Sequence, residues 1–140
     1  MDNPPQPLQK VASGGELSRV SLAIEVACLD EAPVPTVIFD EIDAGIGGEV
    51  ADTIGRLLKT LSATRQVICI THLPQVAVYA DAHFLIDKTH HNGQTQTQVH
   101  RLENAQRIRE LARMLGSADS PTSQQHARAM LKNAQNQRPD

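Results

Sequence analysis

The sequence predicts an α/β fold, a mostly parallel sheet with flanking helices, followed by a C-terminal hairpin and further helices. Three observations predict it. Two short apolar runs, Thr36 to Phe39 and Val67 to Ile70, end in polar residues, as strands buried in a parallel sheet do. Between them Val50, Ala51, Ile54, Leu57, Leu58 and Leu61 recur at helical spacing, so a helix joins the two strands as a right-handed crossover. Further on, Asn92-Gly93 separates His83 to Ile86 from the alternating stretch Thr95 to Leu102, which reads as a hairpin.

The remaining elements follow in chain order. Pro4, Pro5 and Pro7 make residues 1–10 a flexible, extended start. Structure begins near Val11, and Leu17, Val20, Ile24, Ala27 and Cys28 mark a first helix that Pro33 and Pro35 end. The crossover helix runs from Gly48 to Leu61. Leu73-Pro74 suits a helix start, with Pro74 pre-set for the first turn. Ile108, Leu111, Ala112 and Leu115 make a helix that Gly116 terminates, and Ser120-Pro121 opens a last, polar helix to about Ala134. The organisation expected is a flexible start (1–10), one main lobe (11–116), and a C-terminal helix with a polar tail (117–140).

Composition narrows the function classes. With 140 residues, 40% hydrophobic and 21% charged, the chain suits one compact domain or one lobe of a larger one. Aromatics are 2%, so the core must rest on Leu, Ile, Val and Ala, and a base-stacking surface for single strands is disfavoured. A net charge of -3 lacks the basic footprint of a dedicated nucleic-acid binder. There is neither a long apolar span nor a signal leader. Cys28 and Cys69, far apart in apolar runs, read as buried, reduced thiols of a cytoplasmic protein.

Four constellations carry chemistry. Ser13-Gly14-Gly15-Glu16 opens the first helix, and can be a capping box, an anion-binding turn, or both, since a capped helix end still presents free N–H groups. Asp40-Glu41 ends the first strand at the carboxyl edge of a parallel sheet, where ligands bind. One carboxylate can hold Mg²⁺ and the other can orient an attacking water, although two solvated acids at a loop start would look the same. Asp43-Ala44-Gly45-Ile46-Gly47-Gly48 reads as a tight, close-packed turn. His72 follows the second strand at that edge, where a neutral imidazole can donate to a phosphate oxygen.

The order of these parts is that of the C-terminal half of an ABC-type P-loop ATPase head. The wording is closer still at residues 10–19 (KVASGGELSR), 39–48 (FDEIDAGIGG) and 71–77 (THLPQVA). Over about Leu8 to Leu115 the chain resembles the RecN family, bacterial DNA double-strand-break repair ATPases related to the structural-maintenance-of-chromosomes (SMC) proteins. ABC transporters match less well, because their D-loop usually reads Ser-Ala-Leu-Asp. The RecN resemblance implies a role in DNA repair and recombination, ATP and Mg²⁺ as cofactors, and action in the cytoplasm, associated with the nucleoid when on DNA. It implies Asp40 as the Walker B magnesium residue, Glu41 as the catalytic glutamate and His72 as the switch histidine. Ser13, Gly14, Gly15 and Glu16 correspond to the signature motif that contacts ATP on the opposite protomer, and Asp43 to the D-loop at the dimer interface.

A P-loop needs Gly-Lys followed by Ser or Thr, and none of the eight glycines precedes a lysine. A helix N-terminus gives an exposed anion only about 0.3–1 kcal/mol. Millimolar binding needs about 4 kcal/mol. The expected partner is therefore an N-terminal P-loop lobe or a second ATPase head, with DNA engaged through the full assembly. The alternative is a non-catalytic docking or dimerisation module. Either way an uncovered sheet face and self-association are expected of the isolated chain. His83, His90, His91 and His100 gather near the hairpin without a recognised zinc spacing, and Arg101, Arg107, Arg109 and Arg113 read as a solvated helix face rather than a DNA contact.

Overall fold

A computed structural model describes residues 35–40 and 46–137. The expected Pro-rich start, the first helix with Cys28, and the polar tail beyond residue 137 lie outside the described residues.

The first strand, β1 (Thr36–Asp40), pairs in parallel with β2 (Gln66–Ile70), in a register that sets Thr36 opposite Gln66 and Asp40 opposite Ile70. The helix between them, α1 (Gly48–Leu61), has the predicted bounds. Its apolar stripe supplies Ala51, Ile54, Leu58 and Leu61 to a core that Phe39 and Val76 complete, with Val37, Val67 and Cys69 packed against it. Alternation along each strand sends those four strand residues to the helix side.

The opposite face is open, as expected of a lobe without its partner, although the apolar runs read as strands buried on both sides. Ile38, Ile68 and Ile70 are 65%, 43% and 44% exposed, so the two apolar runs are not buried on both sides. A helix can cover only one face of a sheet, and among the described residues no element covers the other. Cys69, on the covered face, is partly rather than fully buried. The glycine-rich turn is also looser than expected at its described end. A Cβ at Gly47 would meet nothing within 4 Å, and one at Gly48 would meet only Gln75 Nε2, at 3.6 Å.

After β2 comes the single-turn helix α2 (Pro74–Ala77), begun by Pro74 as predicted. The hairpin β3 (His83–His91) and β4 (Gln94–Leu102) extends five residues past the predicted end of its first strand. Residues 87–91 are polar and lack the apolar alternation that signals a strand, but the backbone ladder does not need it. Asn92 and Gly93, at φ 51° and 75°, form a two-residue turn with both central residues in the left-handed region, which matches strand twist and sets His91 opposite Gln94. Phe84, Ile86 and Val99 stay more than half exposed on one hairpin face.

Two helices close the fold. The first, α3 (Asn104–Leu115), starts with a reciprocal capping box between Glu103 and Gln106 and ends at Gly116, whose φ of 148° suits glycine. The second, α4 (Pro121–Asn136), is capped by Ser120, whose side chain accepts from Ser123 N–H at 3.3 Å. Ala127, Met130, Leu131 and Ala134 recur at helical spacing on this otherwise polar helix. They join Leu111 and Ala112 of α3 and Ala77, Val78 and Tyr79 in a second core.

Candidate functional site

The carboxyl edge of the β1–β2 pair is the candidate site. Asp40 is the last residue of β1 and lies opposite Ile70, and His72 follows two residues later, so the parallel register delivers both to one edge. Both side chains are exposed there. Of the other expected site residues, Ser13, Gly14, Gly15, Glu16, Glu41 and Asp43 lie outside the described residues. The structure therefore brings together Asp40 and His72.

The segment after His72 is held from two directions. Tyr79 Oη donates to Asp52 Oδ1 on α1 at 2.5 Å, and Asp52 is also paired with Arg56 one turn on. A Cβ at Gly55 would overlap the Tyr79 ring and come within 3.0 Å of the Gln75 carbonyl, so glycine lets this segment lie directly on α1. Lys59 pairs with Asp81 at the far end. From the other side, Arg107 of α3 points Nη2 at the Ala80 carbonyl at 2.7 Å.

These contacts shift ionisation in understandable ways. Burial pushes the Asp52 carboxyl up, but the Tyr79 hydroxyl and the Arg56 guanidinium outweigh it and hold Asp52 below its ordinary value. Burial, reinforced by the Asp52 carboxylate, pushes the Tyr79 phenol up. Burial also lowers Arg107, half sunk between α3 and the 77–80 carbonyls. The sequence alone does not single these groups out. The Asp52–Arg56 spacing of four is a visible signal, whereas nothing local connects Arg107 to a carbonyl 27 residues earlier.

A magnesium ion needs only one or two protein carboxylates when phosphate and water supply its remaining oxygens. The exposed Asp40 carboxylate at a strand end fits that part. Among the described residues no group of three or more His, Cys, Asp or Glu side chains is placed to hold a metal ion.

The hairpin histidines are spread out by their own ladder. His83 sits at its base opposite Leu102, His100 lies opposite Leu85, and His90 and His91 flank the tip. At about 3.3 Å per residue, the base and tip histidines stand roughly 23 Å apart. Three of the four arginines face acids: Arg101 with Glu103 at 3.6 Å, Arg109 with Asp119 at 2.8 Å, and Arg113 with Glu110 at 2.5 Å. That is how a solvated face is arranged, with cation and anion balanced. Two corrections follow: Arg101 lies on β4 rather than on a helix, and Arg107 faces inward.

No protein-family model matches the chain. Its sequence is 51% identical over 132 residues to the DNA repair protein RecN of Streptomyces coelicolor, covering 94% of this chain. It is 53% identical over 113 residues to RecN of Xylella fastidiosa strain 9a5c, and 52% identical over 134 residues to RecN of Mycobacterium bovis, covering 81% and 93% of this chain. Over most of its length the chain is a homologue of these RecN proteins. It spans 23%, 20% and 22% of the length of these three RecN proteins, about a fifth of each. A solved structure from work on ATP-driven dimerization and DNA-stimulated activation of SMC ATPases matches 94% of this chain and 66% of its own, with a TM-score of 0.53 at 18% identity. The mixed helix-and-strand fold is thus shared with a large part of that structure. No helix among the described residues is long and apolar enough to cross a membrane.

Proposed function

We propose that this chain is the C-terminal part of an ABC-type ATPase head of a RecN-like protein acting in DNA double-strand-break repair and recombination in the cytoplasm. The observation that carries the reading is the placement of Asp40 and His72 at one carboxyl edge of a parallel strand pair, in a chain about half identical to RecN. Asp40 would hold Mg²⁺, which when bound with ATP neutralises phosphate charge. Glu41, the next residue, would orient the attacking water as a carboxylate acceptor. His72 would donate to a phosphate oxygen. Ser13, Gly14, Gly15 and Glu16 would present backbone N–H groups to a nucleotide on an opposing head, and Asp43 would lie at that head–head interface. The P-loop lysine would come from an N-terminal lobe or a second head, and DNA would be engaged by the assembly. The units expected from the sequence, 1–10, 11–116 and 117–140, belong to this proposal, with 11–116 as the catalytic lobe.

Mg-ATP calorimetry tests it, on the chain alone and with a RecN-type N-terminal lobe added. The expected outcome is no measurable binding alone, binding with the partner, and hydrolysis that Glu41→Gln abolishes. Micromolar binding by the chain alone would overturn the half-site reading. A second reading, a docking or dimerisation module without turnover, is favoured by the exposed Ile38, Ile68 and Ile70 face. It predicts complex formation with no Glu41-dependent hydrolysis.

A further inference from the structure

His72 is bracketed by a run of hydrogen bonds that ends on a side chain from another element. The Leu73 N–H, just after His72, donates to Thr71 Oγ1, just before it, at 3.0 Å. The Leu73 carbonyl accepts from Ala77 N–H at 3.1 Å, and the Ala77 carbonyl accepts from Ala80 N–H at 3.2 Å. The Ala80 carbonyl accepts from Arg107 Nη2 at 2.7 Å, and that nitrogen also lies 3.4 Å and 3.5 Å from the Ala77 and Val78 carbonyls.

A four-residue helix is too short to hold itself, because nucleation fixes several residues for one hydrogen bond and its last carbonyls have no partner within the helix. The Val78, Tyr79 and Ala80 N–H groups serve the Pro74, Val76 and Ala77 carbonyls, and Arg107, from α3, holds the end of that turn by donating to the Ala80 carbonyl. A charged donor makes the stronger kind of hydrogen bond. The placement has a cost that a surface arginine avoids: its Nε is buried without a hydrogen-bond partner. A guanidinium held there at such a cost is fixing the 77–80 backbone.

We propose that Arg107 is a positioning residue for His72: by closing the C-terminal end of the turn after it, Arg107 fixes the backbone that aims the imidazole at the edge where Asp40 sits. The catalytic consequence rests on the role proposed for His72 above, whereas the positional part rests on these contacts.

Two measurements on Arg107→Met and Arg107→Lys test the proposal. In the 140-residue chain, at fixed pH, the NMR ring resonances of His72 are expected to move in Arg107→Met and to return most of the way in Arg107→Lys. Those of His126, exposed on α4, should stay in place. In the ATPase completed by a P-loop lobe, Arg107→Met should lower kcat by about tenfold to a hundredfold with KM for ATP unchanged, as a misaimed group does, and Arg107→Lys should recover most of the loss. Unmoved His72 resonances in folded Arg107→Met overturn the proposal. So does a loss of kcat and KM together that lysine does not rescue, since that marks a merely structural role. If Arg107→Met does not fold, Arg107→Gln, which keeps a neutral donor, replaces it: moved His72 resonances support the proposal and unmoved ones overturn it. Unimpaired hydrolysis by His72→Ala would sink the catalytic role of His72, and the resonance test of Arg107 would still decide its positional role.

Discussion

The described residues form two sheets, each two strands wide, and they are stabilised in opposite ways. The parallel pair β1–β2 is joined by a 14-residue helix that buries Ile54, Ala51 and Leu61 against its inner face. The antiparallel pair β3–β4 is joined by two residues, and most of its positions are exposed. Local turn chemistry can therefore specify the hairpin, while the parallel pair exists only because side chains far apart in sequence pack together. The site lies on the second kind. Asp40 and His72 reach one edge through a crossover, so disrupting the core under β1–β2 disturbs the site, whereas changes along the hairpin do not.

The largest expected difference comes from cavities. Ile54→Ala removes a fully buried side chain and should cost about 2–5 kcal/mol in denaturant unfolding. A loss below about 1 kcal/mol would mean the parallel pair is not held by this core. Next is the hairpin turn itself. At Gly93 a Cβ has space around it but the φ of 75° is left-handed, so Gly93→Ala should cost about 1–2 kcal/mol through backbone strain alone. The His72 and Asp40 resonances should not change; if they did, the two sheets would be coupled.

A pH effect belongs to the hairpin's base. Burial lowers the His83 imidazole below its ordinary value, with Arg107 adding to the effect and Glu110 opposing it, and its Nδ1 is buried without a hydrogen-bond partner. Asp81, Arg101 and Glu103 line the same 320 Å³ cavity. The unfolded chain therefore binds a proton more readily than the folded one. Stability should be unaffected by this group above the ordinary histidine value, and should fall as pH drops below it until the folded imidazole also protonates. His83→Phe should flatten that acid limb in denaturation curves below about pH 6.5, and an unchanged limb would assign it elsewhere. The smallest effect on stability is expected of Ile86→Lys on the open hairpin face, within about 0.5 kcal/mol. Paired with Ile38→Lys it should reduce self-association in sedimentation. Equal association of the double variant and the parent would show that neither exposed face makes the contact.

The crossover helix was legible residue for residue, because Val50, Ile54, Leu57 and Leu61 carry the helical period and Gly47 precedes it. The hairpin was half legible: Asn92-Gly93 announced the turn, but residues 87–91 pair through backbone alone. At the site, Asp40 and His72 could be named from strand ends and family wording. Asp52, Tyr79 and Arg107 could not, since their meaning lies in partners 27 or more residues away.

The sequence by itself determined the period of each element, the turn and caps at Asn92-Gly93, Ser120 and Gly116, and the likeness to RecN, because these depend on neighbours within a few residues or on wording. Tertiary structure decided which strand face is covered, that Arg107 turns inward while its neighbours pair with acids, and that the segment after His72 is held from both α1 and α3. Burial and hydrogen-bond partners are properties of packed surfaces, and no local window of sequence contains both sides of a contact.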